Sequence, residues 1–325
     1  MGTSAGAIIF VGTIGPSNPR QIASLLKGSG TARTSSPLTN RAARAAERQL
    51  SLIRTLVYVV MAAMQLAHHL SGPLAAYIEK IWYCDGYQVA HRKNLVLPNG
   101  RFQLVISLAE GPLRAPGGPA GELGESASSF VLGIRSHFSV IDTATLQSAM
   151  GVLFWPAGAR AFFDGPADSF YNENVPLDLI WGSTASELRD HLREASTAAE
   201  KFHVLKTALL ERVNMRLELH ASVRYALGRF VRVPHIRSVL NVAREAGLSR
   251  RRFAQLFREQ VGLTPKLYCR LLRFQHVVQQ ISLGIPVDWA DLALAGGYCD
   301  QSHLANEFRH FSGMSPTAYL AIDHS

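Results

Sequence analysis

Arg251 and Gln255 stand four residues apart, on one face of any helix that holds them, and Phe253 and Phe257 fall on the opposite face. An arginine can grip guanine O6 and N7 through two hydrogen bonds, and a glutamine can do the same for adenine N6 and N7. The chemistry such a pair can do is base readout. The charge around it agrees: residues 232–273 hold ten Lys/Arg against two acids, a net of +8. Residues 71–231 are nearly balanced, with fifteen Lys/Arg against sixteen acids, and 274–325 hold only Arg309 against five. A basic block inside an otherwise balanced body is the footprint of a polyanionic partner.

Other chemistries lack their constellations. Cys84, Cys269 and Cys299 are odd in number and at no metal-ligand spacing, which argues against a disulfide scaffold or zinc finger and fits a reducing cytoplasm. His91 and His137 belong to no ligand cluster, so neither a metal nor a cofactor is expected. Asp164 and Asp168 flank Gly165-Pro166 and read as turn residues rather than a catalytic pair. Gly117, Gly118 and Gly121 have no helix after them to receive a phosphate.

The basic block must be held in place by something, and the last hundred residues supply a repeat. The first copy runs Ala243-Arg244-Glu245-Ala246-Gly247-Leu248-Ser249, then Phe253, Leu256-Phe257, Gly262, Thr264-Pro265 and Tyr268. The second runs Ala293-Leu294-Ala295-Gly296-Gly297-Tyr298, then Leu304, Phe308, Gly313, Ser315-Pro316 and Tyr319. Each copy has the grammar of a helix-turn-helix: a glycine able to take positive φ, then an N-cap at Ser249 or Asp300. The second helix then buries its aromatic stripe and leaves the other face outward. Pro265 and Pro316 sit where a first helical residue needs no N–H. One helix from Leu267 to about Ser282 should fix the distance between the copies.

On these residues the stretch 220–325 resembles the AraC/XylS family of bacterial transcription regulators. The most specific piece is Gly297-Tyr298-Cys299-Asp300-Gln301-Ser302-His303-Leu304 with Phe308-Arg309 and Gly313-Met314-Ser315-Pro316. The resemblance implies two helix-turn-helix units on double-stranded promoter or operator DNA, with RNA polymerase as a further partner. It implies base-reading positions at Arg250, Arg251, Ala254 and Gln255, and at Gln301, Ser302, His303 and Asn306. Ser249, Arg252, Arg258, Lys266, Arg270 and Arg309 fall to phosphates, which position but do not specify. Upstream, Tyr77 to Trp82, Val96 to Gly100 and Trp155 to Phe163 resemble an uncharacterised β-rich domain often found ahead of this DNA-binding region.

The expected fold is therefore α+β. A β-rich, barrel or cupin-like domain spans 71–182, a helical segment spans 183–219, and an all-α domain of two helix-turn-helix units joined by a long helix spans 220–325. Short aromatic and β-branched runs at Tyr77–Tyr83, Phe102–Leu108, Phe130–Ile134 and Gly151–Trp155 carry the strands. The stripe from Glu187 to about Leu219 reads as one helix that either seals the barrel or pairs with a second copy as a homodimer. Residues 1–70 form a poorly ordered or helical extension; its apolar run, broken by Ser51, Arg54, Thr55 and Gln65, falls short of the ~20 residues a membrane span needs. Met61 and Met64 compete with Met1 as the start, and no membrane partner is expected.

Two functions fit this plan. The favoured one is a sequence-specific DNA-binding regulator, not an enzyme, controlled by a small-molecule effector of the β-rich domain, with Arg101 and Arg160 as the charged groups expected at the ligand. The alternative is a DNA-targeted enzyme, such as a repair protein that moves alkyl groups onto its own cysteine. Cys84 beside Asp85 is a poor nucleophile for that role. The charge division also predicts that the first unit supplies nearly all counterion release on binding DNA.

Overall fold

The computed structural model describes residues 66–323 except 69, 87–92, 118–123, 125, 143–145, 216, 233–238 and 283–286. The extension before Leu66, with Met61 and Met64, and also His91, Gly118 and Gly121, lie outside the described residues.

The N-terminal half is a sheet domain. Its strands are β1 (Leu66–His68), β2 (Ile78–Asp85), β3 (Lys93–Val96), β4 (Gln103–Ser107), β5 (Leu113–Arg114), β6 (Ser126–Ala127), β7 (Ser129–Leu132), β8 (Ser139–Asp142), β9 (Ser148–Phe154) and β10 (Asn174–Pro176). Six of them form an antiparallel sheet in the order β1-β2-β9-β4-β7-β10, while β3 pairs with β8 and β5 with β6. The main sheet is apolar on both faces. Side chains alternate along a strand, and here Ile81, Tyr83, Leu104, Ile106, Val131, Met150 and Val152 join the large core. Their sequence neighbours Trp82, Cys84, Val105, Phe130 and Ala149 form a second, smaller core on the other face.

The helical segment departs from the single helix that its periodicity suggests. After the short α1 (Asp178–Trp181) come two helices, α2 (Ser183–Glu194) and α3 (Ala198–Arg212), packed against one another. The break is made by a capping box: the Thr197 hydroxyl accepts from the Glu200 N–H at 3.2 Å, and the Glu200 carboxylate accepts from the Thr197 N–H at 3.1 Å. The buried Lys201 ammonium then donates to the carbonyls of Leu192 and Ala195, both at 2.6 Å, closing the end of α2. Arg189 ties this hairpin to the sheet domain by donating to the Ser107 and Ala109 carbonyls at 2.8 and 2.9 Å.

The C-terminal half is all helix: α4 (Ala221–Arg232), α5 (Val239–Glu245), α6 (Arg250–Val261), α7 (Pro265–Ile281), α8 (Trp289–Ala295), α9 (Gln301–Ser312) and α10 (Pro316–Asp323). The caps follow the repeat. Gly247 and Gly297 take φ of +72° and +73° in the two turns, and Ser249 and Asp300 accept from the N–H groups of Arg252 and His303 at 3.3 and 2.7 Å. The connecting helix α7 runs unbroken for 17 residues.

The two halves share one continuous core. At the first unit, the turn containing Asp168 lies on α6, and Asp168 pairs with Arg258 at 2.9 Å. Along α7, Gln275 donates to the Pro98 carbonyl, and Gly100 leaves just enough room for Leu271 and Tyr268. At the second unit the Phe138 N–H donates to the Phe311 carbonyl at 2.9 Å. Gly313 closes α9 at a φ of +77°, and a Cβ there would come within 2.3 Å of the Phe138 ring. Both helix-turn-helix units are therefore seated on the sheet domain.

Candidate nucleic-acid interface

Helix α6 divides cleanly. Phe253, Leu256, Phe257 and Val261 are buried, and Arg250, Arg251, Arg252, Gln255 and Arg258 are exposed, with Ala254 half-buried between them. Three arginines in a first helical turn oppose the positive end of the helix dipole, an arrangement that an external anion relieves. The Gln255 side-chain amide donates to Glu259 at 2.8 Å, which leaves it a second N–H and its carbonyl for an adenine edge. Ser249 and Lys266 are exposed on either side of the helix.

Helix α9 repeats the division with fewer charges. Leu304, Glu307, Phe308 and Phe311 are buried; Gln301, Ser302, Asn306 and Arg309 are exposed. His303 is half-buried, edge-on against Tyr298 with ring centroids 5.3 Å apart, and its ring nitrogen accepts from the Cys299 N–H at 3.4 Å. Between the units runs a groove that brings together Arg250, Ala254, Lys266, Arg270, Arg273 and His303.

Two of the expected phosphate contacts also have ion-pair partners inside the chain. Arg258 is held by Asp168. Arg270 pairs with the buried Glu307, which Arg273 approaches from its other oxygen at 3.4 Å. Arg270 also lies over Phe311 and Arg273 over Tyr298, at 5.5 and 5.3 Å from the ring centroids. Burial, with Glu307 beside it, raises the Tyr298 phenol well above its ordinary value, so it stays a neutral ring beneath Arg273. Sequence spacing gave no sign of this cluster, whose members come from α7, α9 and the turn between α8 and α9. Its effect is to lock α9 onto the connecting helix α7.

The salt dependence should record the difference. Arg252→Ala is expected to lower the slope of log K against log salt by about 0.9, one phosphate's worth on duplex DNA. Arg270→Ala, at a side chain committed to Glu307, should leave the slope close to that of the wild type while lowering stability. Equal slopes for Arg252→Ala and wild type would remove Arg252 from the phosphate set.

The two residues expected at a ligand separate. Arg101 donates to Glu79 at 2.7 Å, lies over Trp155, and lines a cavity between the main sheet and the β3-β8 layer. Arg160 is not on that cavity; it borders a different cleft with Glu211, Arg212 and Glu259. Cys84 and Cys269 are poorly placed for alkyl transfer. Burial pushes the Cys84 thiol up to about 11 and the Cys269 thiol up to about 12, and Cys84 donates to the Leu146 and Ala149 carbonyls at 3.6 and 3.5 Å. Cys299 alone of the three is exposed. Aromatic disulfide reagent at pH 7 should titrate one thiol quickly, and Cys299→Ser should abolish that phase; a fast Cys84 would restore the alkyl-transfer reading. Among the described residues there is no group of three metal-ligating side chains, and no helix long and apolar enough to cross a membrane.

Comparison with known proteins agrees with the two halves. Residues 242–322 match a family model described as a helix-turn-helix domain, and residues 68–176 match one described as a domain of unknown function. No curated protein matches the chain significantly. Among solved structures, ToxT from Vibrio cholerae in a 1.65 Å form is similar at 8% identity and a TM-score of 0.39, over 74% of this chain and 97% of that one. The same protein bound to (E)-4-(8-methylnaphthalen-1-yl)but-3-enoic acid gives 10% identity and a TM-score of 0.40, over 75% and 97%.

Proposed function

We propose that this chain, a DNA-binding transcription regulator with an AraC-type helix-turn-helix domain behind a β-rich domain of unknown function, reads a specific operator with both units and is controlled by a small molecule held in the sheet domain. The observation that carries the reading is the matched exposure on α6 and α9. Arg251 and Gln255 on one helix, and Gln301, Ser302 and Asn306 on the other, stand in solvent at equivalent places in the repeat. Each has donors or acceptors for a base edge. Control by the sheet domain is supported by its seat on both units, through Asp168 at the first and Phe138 at the second.

Selection of bound sequences from a random DNA pool by the full chain tests this. The expected product is a site with two conserved blocks about one helical turn apart, on one face of the duplex. A single short block would confine reading to one unit, and no enrichment would defeat the proposal.

A further inference from the structure

The cavity between the main sheet and the β3-β8 layer encloses about 100 Å³. Its floor follows the row Trp82, Gly151, Val105, Phe130, which crosses β2, β9, β4 and β7. Gly151 has no side chain, and a Cβ there would come within 2.3 Å of Trp82 Cζ2 and 2.7 Å of its Nε1. The nitrogen-bearing edge of the indole therefore lies across β9, in the direction of Val105. Trp82 is only 6% exposed, and its N–H has no acceptor among the described residues. Ser107 stands one row away on the same face, opposite Ala149, and its buried hydroxyl is also without a partner there. A buried donor left unpaired costs free energy comparable to a lost hydrogen bond.

Two such donors call for an acceptor. A water is a poor one, because buried waters hold about three hydrogen bonds and the core around the indole is otherwise Cys84, Val105, Leu113 and Phe130. The Cys84 thiol already faces the Leu146 and Ala149 carbonyls. An ion is a poor one too. Arg101 is held by Glu79, Arg135 by the Pro116 carbonyl and the Asn174 side chain, and Arg114 stands in solvent. The buried Asp142 on the same wall opposes an anion. Size sets the remaining limit: an apolar cavity of roughly 150 Å³ takes benzene, so this one takes about four to six non-hydrogen atoms.

We infer that the cavity takes a small neutral carbonyl compound, a short-chain or cyclic ketone, ester or lactone, whose oxygen accepts from the Trp82 indole and whose hydrocarbon lies against Val105 and Phe130. This rests on reading the sheet domain as the sensing half. The wall that would carry the signal is shared with the DNA-binding half. Pro98, Asn99 and Arg101 line the cavity, and Pro98 and Gly100 meet α7 at Gln275, Tyr268 and Leu271.

Nuclear magnetic resonance of the full chain, labelled at the indole nitrogens of its four tryptophans, tests this with cyclopentanone. One indole proton should move downfield, the one that Trp82→Phe removes, while those of Trp155, Trp181 and Trp289 stay in place. Titrations followed on the probes' own signals should show cyclopentanone binding about fivefold more tightly than cyclopentane, the worth of one neutral hydrogen bond, and butanoate not binding. Trp82→Phe should erase the fivefold difference, and Val105→Phe, which fills the cavity, should remove binding of both rings. Urea midpoints close to that of the wild type will show that the variants fold, and a single moving indole in the wild type stands without them. An unmoved spectrum, as a resident water would leave it, equal binding of ketone and hydrocarbon, or butanoate binding as tightly as the ketone would overturn the inference. Operator affinity, measured with and without cyclopentanone, keeps the two readings apart. A bound ketone that leaves DNA affinity unchanged would keep the cavity assignment and remove its control of DNA binding; a chain that selects its operator and ignores the ketone would do the reverse.

Discussion

Arg251→Ala should weaken binding to the preferred operator by about 5- to 150-fold, the equivalent of roughly 1–3 kcal/mol, and relax selectivity at one base pair. The expectation follows from its placement: the side chain is exposed, it has no ion-pair partner among the described residues, and Phe253 and Phe257 fix the helix that carries it. Losing it should leave the urea midpoint unchanged, since it supports no packing. The check is a pair of titrations on preferred and scrambled DNA at one salt concentration. Equal losses on both would make Arg251 a phosphate contact, and no loss on either would remove it from the interface.

Glu307→Ala should produce the largest loss of stability, at about 3 kcal/mol. The Glu307 side chain is 7% exposed, and its removal strands two arginines whose side chains are 30% and 15% exposed. Arg270 can recover some water, which places the cost at the lower end of the range for a broken buried pair. The variant should also lose protection of the second DNA block while keeping the first, because α9 would no longer be fastened to α7. A shift in the urea midpoint equivalent to less than about 1 kcal/mol would mean that packing of Phe274 on Phe308 and Phe311 suffices without the ion pairs.

Much of this architecture can be read from the chain, and the exceptions have physical causes. Both helix-turn-helix units were legible because caps, turn glycines and aromatic stripes are local and occur twice. The strands β2, β4, β7 and β9 were legible because apolar and aromatic residues dominate them, a consequence of being buried on both faces. Strands such as β5 and β6, two residues each, are too short to show a period. The break between α2 and α3 was missed because the apolar spacing continues across it, although Thr197 and Glu200 carry the capping pattern in plain view. The partners of Arg258 and Arg270 lie far off in the chain, at Asp168 and Glu307, where charge counting by segment has no access to them. Residue type alone puts Arg101 and Arg160 together, and only the fold separates the cavity from the cleft. Trp82 gives no signal, since an unsatisfied donor is a property of the folded state.

The shared core between the sheet domain and the two helix-turn-helix units sets a threshold for any separation of the halves. Moving either unit off its seat exposes apolar surface, and at about 25 cal/mol per Å² even 200 Å² costs roughly 5 kcal/mol. That is close to the ~5.5 kcal/mol of differential affinity a ligand needs to carry a population from 1:99 to 99:1. A small molecule that acted by prising the halves apart would spend nearly all of its binding free energy on the seam. A ligand that instead tightened the docked arrangement would meet no such cost, so the seam would favour control by stiffening over control by dismantling.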